Sequence, residues 1–183
     1  MNSRILATFL VGASLMLGAS KGDKPAPGTD EAIAEQLRHE VVMYPRYTIW
    51  DDINFRVVNG QVELMGAVSQ PYKKGDIERL VRGVPGVTSL TDEIRVLPLS
   101  PQDDRLRIQV ARAIFRDPAL TRYAIQAVPP IHIIVDNGHV TLSGVVSTEM
   151  EKEIAGIRAS AAGLSFGSVT NNLQVEHPPV KKS

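Results

Sequence analysis

Ile53-Asn-Phe-Arg-Val-Val-Asn-Gly-Gln-Val-Glu-Leu-Met-Gly-Ala-Val68 and Ile131-His-Ile-Ile-Val-Asp-Asn-Gly-His-Val-Thr-Leu-Ser-Gly-Val-Val146 are one pattern written twice. Internal self-similarity outranks local propensity in deciding architecture. Each segment reads as a β-hairpin. Asn59-Gly60 and Asn137-Gly138 suit a type I′ turn, which needs positive φ at both central residues. With a two-residue loop, Val57 faces Val62 and Phe55 faces Leu64; in the second copy Val135 faces Val140 and Ile133 faces Leu142. All eight side chains then share one sheet face, so the turn register and the burial pattern agree independently. Arg56 and Glu63 become a cross-strand pair on the other face. Gly66 and Gly144 occupy matching strand positions, where a glycine admits the close approach of another backbone; a helix crossing the sheet is the expected neighbour.

Helical periodicity follows each hairpin. Ile77, Leu80, Val81 and Val84 form the first apolar stripe, closed by Gly83 and Gly86. Met150, Ile154, Ile157, Ala161 and Leu164 form the second, with Gly163 near its end. A third strand comes next in each copy, Thr91–Val96 and Thr170–Val175. A helix also precedes each hairpin. Thr29 caps one running to about Met43. Ser100-Pro101-Gln102-Asp103 opens the other, with a serine cap and proline at the first helical position. Leu106, Val110, Ala113 and Ile114 point inward from it, and Asp117-Pro118 ends it. The fold class is therefore α+β. Two tandem αββαβ domains are expected, each a three-stranded mixed sheet with two helices on one face.

These residues resemble the BON domain, named for bacterial osmotic-shock and nodulation proteins. The Asn-Gly hairpin, the Val-x-Leu-x-Gly-x-Val strand (Val62 to Val68, Val140 to Val146) and the closing Ile-x-Val or Leu-x-Val strand carry the resemblance. It covers nearly all of Glu31 to Glu176, in two copies. Gly83-Val-Pro-Gly-Val87 fits the family; the second copy has Gly163 to Ser168 there instead, and Tyr44 to Trp50 is unusually aromatic. The resemblance implies a periplasmic or envelope-associated module that binds phospholipid membranes or protects the envelope under osmotic stress. It brings no catalytic motif.

The flanks extend this reading. Arg4 precedes an apolar run from Ile5 to Leu17, which reads as a secretory signal; a retained anchor helix is the alternative, although a membrane span needs ~20 residues. Leu17-Gly-Ala-Ser20 resembles a lipoprotein box with serine in place of the lipidated cysteine, so a thioether-linked lipid has no attachment point. The expected organisation is a signal peptide over 1–19, a linker over 20–30, domains over 31–97 and 98–178, and a tail over 179–183. Twenty Lys and Arg balance twenty Asp and Glu, so nothing global favours nucleic acid. The chain has no cysteine, which excludes disulfides and thiolate chemistry.

No nucleophile elbow, phosphate loop or dinucleotide fingerprint is present, and no cofactor or metal is expected. His39, His132, His139 and His177 make no spaced metal motif. His139 is expected to pair across its hairpin with Asp136, as a structural polar contact. On the helix starting at Pro101, steps of about 100° per residue line up Arg105, Gln109, Arg112 and Arg116, with Ile108 and Phe115 beside them. Arginines bind phosphate while apolar neighbours enter the acyl boundary. Arg105, Ile108, Arg112, Phe115 and Arg116 are the candidate site for anionic phospholipid. Packing of Ile108 and Phe115 on the first domain is the competing explanation. The matching first-copy helix carries Glu31, Glu35 and Glu40 instead. Val58, Met65, Ile134 and Val145 fall on the outer sheet faces, where they bury between the domains or meet an envelope protein. Trp50 is expected to pack in a core.

Overall fold

The computed structural model describes residues 28–126, 129–162 and 167–176. The expected signal peptide lies outside them, as do Leu164, His177, the C-terminal tail and most of the expected linker. The first domain runs α1 (Asp30–Met43), β1 (Asp52–Val58), β2 (Gln61–Val68), α2 (Pro71–Arg82) and β3 (Ser89–Val96). The second runs α3 (Pro101–Phe115), α4 (Thr121–Ala124), β4 (Ile131–Asp136), β5 (His139–Val146), α5 (Glu149–Ala162), β6 (Val169–Asn171) and β7 (Gln174–Val175). In each sheet the hairpin pair is antiparallel and the last strand joins it in parallel. β6 and β7 keep one register against β5, so together they are the single third strand expected from the repeat.

The hairpins have the expected register: Phe55 opposes Leu64, Val57 opposes Val62, Ile133 opposes Leu142 and Val135 opposes Val140. Asn59 and Asn137 take φ of 51° and 50°, and the glycines after them are also positive, as type I′ turns require. Arg56 donates to Glu63 across the outer face. The strand glycines serve a neighbour other than the expected helix. A Cβ on Gly66 would meet the Asp52 carbonyl oxygen, and one on Gly144 the Pro130 carbonyl oxygen. Both carbonyls belong to the hairpin partner, so these positions admit an adjacent strand.

A second duplicated device ties helix to hairpin. Asp30, at the start of α1, accepts from the backbone N–H groups of Asn59 and Gly60 at 2.7 and 2.8 Å. Asp103, in the first turn of α3, does the same for Asn137 and Gly138 at 3.0 and 2.9 Å. The bridge spans 29 residues in the first copy and 34 in the second. The unexpected helix α4 takes up the longer connection. Asp103→Ala removes the acceptor for two turn amides, and a loss of about 1–3 kcal/mol is expected in urea unfolding. An unchanged midpoint would show that water replaces the carboxylate.

Each domain has its own core. Ile33, Leu37, Leu64, Ile77 and Val81 centre the first; Leu106, Ile114, Leu120, Ile133 and Leu142 centre the second. The expected inward stripe of α5 is corrected here. Met150 and Ile157 are 69% and 64% exposed, and Ala161 is exposed too. Ala155 and Ala159 face the core, and of the described residues of the expected stripe only Ile154 packs against it. Helix α5 lies close to the sheet: Asn171 donates to the Lys152 carbonyl at 2.7 Å, and a Cβ on Gly156 would strike the Asn171 amide. Close approach selects the small side chains for the inner face, whatever the apolar count of the other face.

The outer sheet faces meet between the domains. Ala67 of β2, Leu97 of the connection and Ile134 of β4 form one buried cluster. Ile133 N–H donates to the Ile49 carbonyl at 2.7 Å, and Arg95 pairs with Asp136 at 2.9 Å. Trp50 packs against the core of the second domain, crossing from the first. Of the four outer-face apolar residues, Ile134 is buried and Met65 half-buried, whereas Val58 and Val145 remain exposed.

Candidate functional site

Helix α3 begins at Ser100, whose side chain accepts from Asp103 N–H at 3.2 Å. Its inner face is Asp103, Leu106, Arg107, Val110 and Ile114. Arg107 is an inner-face arginine: it donates to the Val135 carbonyl at 2.8 Å and pairs with Asp104. The opposite face is set by helical period alone, and it carries Arg105, Arg112 and Arg116, all exposed. None of the three forms a salt bridge with a described residue. Their charges therefore add, whereas Arg158 on α5 is neutralised by Asp117 at 2.7 Å. The Ala119 amide and Arg158 hold the Asp117 carboxyl below its ordinary range.

Ile108 is 46% exposed beside the arginine stripe. Phe115 is half-buried against the core of its own domain, so it does not present its whole ring outward. The exposed apolar surface that sequence periodicity assigned elsewhere is on α5. Met150 and Ile157 stand out from the helical layer next to α3. A groove of about 430 Å3 between the helices has Ala113 and Arg116 on one wall and Arg158 and Ala161 on the other. A clue in the sequence was Ala155 and Ala159, four apart, marking a close-packed face at the side of α5.

Several other polar groups are structural. Asp51 is buried and accepts from Lys73 Nζ, from the Thr48 and Ser69 hydroxyls and from both their backbone amides. Glu151 stands at the corresponding helix position in the second copy, with the opposite charge to Lys73. It accepts from Tyr123, Arg122 and Thr148. Tyr123, on the short α4, was not anticipated; its hydroxyl also accepts from Ser147 N–H at 2.9 Å. Tyr44 donates to Asp76 at 2.6 Å; burial and that carboxylate push the phenol up to about 12. His139 opposes Asp136 in register, yet its ring contacts Ser168 at 3.0 Å while Asp136 turns to Arg95. The expected His139–Asp136 contact is replaced because the domain interface supplies a cation. Among the described residues no group of three or more His, Cys, Asp or Glu is placed to hold a metal, and no helix is long and apolar enough to cross a membrane.

The BON domain model matches residues 29–98 and again residues 102–177. This chain belongs to the BON domain family. BON domains are non-catalytic modules that bind phospholipid or protein. Two solved structures are similar over much of their length. One is described as structural studies of CdsD, a structural protein of the type III secretion system of Chlamydia trachomatis. It is 12% identical, with 81% of this chain and 94% of that chain covered and a TM-score of 0.27. The other is the C-terminal domain of the same protein, 13% identical over 78% and 96% of the two chains, with a TM-score of 0.26. At these scores neither supports an argument about this chain. No curated protein matches it.

Proposed function

We propose that this BON protein is an exported, non-enzymatic envelope protein that docks on anionic phospholipid through the outer face of α3 and supports envelope integrity under osmotic stress. The observation that carries the proposal is the exposed stripe of Arg105, Arg112 and Arg116, none of it paired with a described acid. Guanidinium groups bind phosphate oxygens as forks. Ile108, and the exposed part of Phe115, give the stripe an apolar flank that enters the acyl boundary. On α1, where Asp30 corresponds to Asp103, the positions of Arg105, Arg112 and Arg116 are held by Ala32, His39 and Met43, so one copy binds and the other supports. The periplasm is the compartment this reading requires, and nucleic acid is no partner in it.

The test is cosedimentation of the chain lacking residues 1–19 with phosphatidylglycerol-containing and phosphatidylcholine-only vesicles. Binding is expected only to the former, and weaker in salt. Each basic residue near an anionic surface contributes about 1 kcal/mol, so the Arg105→Ala, Arg112→Ala, Arg116→Ala triple variant is expected to bind about 100-fold more weakly. Equal sedimentation of the two proteins refutes the site. A second reading, a scaffold for an envelope protein, draws on Val58 and Val145, which stay exposed on the outer sheet faces. It requires crosslinking in envelope extracts that survives removal of lipid and is lost in Val58→Asp or Val145→Asp.

A further inference from the structure

The membrane reading uses helices of the second domain only. It leaves unexplained a polar pocket between the domains, on the other side of the sheet. His132 and Ser143 are cross-strand partners on β4 and β5, and both are more than nine-tenths buried. Tyr47 of the first domain lies over the His132 imidazole, with ring centroids 5.2 Å apart. His132 Nδ1 and Ser143 Oγ have no hydrogen-bond partner among the described residues, and both atoms are turned away from solvent, so a ligand meets them on rotation of the side chain. Buried polar atoms without partners are costly, and two on adjacent residues call for an explanation.

Both residues line a pocket of about 400 Å3, within the size range of small-molecule sites, roughly 300–1,000 Å3. Both domains build it. Asp52 and Asn54 come from β1, and Asn172 and Gln174 from the closing strand of the second domain. The side chains of Asn54, Asn172 and Gln174 are exposed at the rim.

The chemistry of the wall selects the occupant. Three carboxamides, two hydroxyls (Ser143 and Tyr47) and an imidazole can each donate and accept. Among the described residues the single carboxylate in the wall is Asp52, and no lysine or arginine lines the pocket. A phosphate or carboxylate ligand would meet a like charge and no counter-charge. A hydrocarbon ligand would strand the polar wall. Vicinal hydroxyls, each a donor and an acceptor, match carboxamides in pairs, and Val145 offers an apolar contact for the C–H face of a ring. We infer that the interdomain pocket binds a neutral polyhydroxylated ligand, a sugar unit of a glycan, gripped by both domains through Asn54, His132, Ser143 and Asn172. This inference is independent of the phospholipid reading.

The experiment is a 1H–15N NMR titration of the chain lacking residues 1–19. The probes are cellobiose and N,N′-diacetylchitobiose, with glucose 6-phosphate and ethanolamine as charged comparisons. Saturable shifts are expected with a neutral disaccharide, centred on the amides of Asn54 and of residues 143–145. Ser143→Ala and Asn54→Ala are each expected to raise the Kd roughly three- to tenfold, the loss of one neutral hydrogen bond. The triple arginine variant should bind sugar as the parent does, which separates this site from the membrane face. Absence of saturation with both sugars overturns the inference and leaves the pocket to water. So does tighter binding of either charged probe, or an unchanged Kd in both folded single variants.

Discussion

Gly144→Ala is expected to lose roughly 3–5 kcal/mol of stability, a large share of the ~5–15 kcal/mol that holds a domain of this kind together. One methyl group does this because two costs coincide. The φ of Gly144 is +107°, a conformation that side-chain-bearing residues rarely adopt. The added Cβ would also lie 1.9 Å from the Pro130 carbonyl oxygen. That carbonyl accepts from Val145 N–H at 3.0 Å, so it cannot retreat without breaking the ladder where β4 begins. Gly66 stands in the same relation to the Asp52 carbonyl, at 2.0 Å and φ of +115°, and its alanine variant should behave alike. Gly75 provides the control. It lies inside α2 with open space around it, so Gly75→Ala should raise stability by about 0.5–1 kcal/mol. Urea unfolding followed by circular dichroism measures all three. A loss below ~1 kcal/mol at Gly144 would mean that the hairpin yields without strain.

The second large effect concerns the buried ion pair of the first domain. Asp51→Ala is expected to cost about 3–5 kcal/mol, because it strands the Lys73 ammonium in a buried site. Lys73→Met should cost less, since Asp51 keeps four other donors, two of them backbone amides. Replacing both, as Asp51→Leu with Lys73→Met, should recover much of the loss. The pair also predicts a pH dependence. Burial pushes the Asp51 carboxyl up, but Lys73, the Ser69 amide and the neighbouring hydroxyls outweigh it and hold the group below 3.8 in the folded chain. A carboxyl depressed by folding contributes its stability above the unfolded value, near ~3.9. That contribution fades as pH falls through the folded value. The parent protein should therefore lose stability in acid below about pH 4, and Asp51→Asn should lack that component. Parallel acid profiles for the two proteins would show that Asp51 contributes nothing through its charge.

Much of this architecture was legible because it depends on period. Alternation about Asn59-Gly60 and Asn137-Gly138 sets which side chains of each hairpin go inward, since a slip of one residue would turn every one of them outward. The caps at Thr29 and Ser100 were legible for a local reason: each hydroxyl needs only an amide three residues on. The exposure of Arg105, Arg112 and Arg116 was legible too, because they lie opposite the inner face of α3. Phe115 was less so. Its ring sits at the border between core and solvent, where small rotations of a helix decide burial.

By itself, the sequence determined the duplication, the turn type, the helix starts and the face on which the arginines stand. Each of these follows from neighbours within one turn or one hairpin. Tertiary structure decided the rest. It chose Ala155 and Ala159 over Met150 and Ile157 for the inner face of α5, because van der Waals contact with the sheet rewards fit at a given distance over hydrophobicity alone. It brought Asp51 to Lys73 and Tyr123 to Glu151, and it set Tyr47 over His132, because pairs so far apart in the chain meet only after the elements between them have packed.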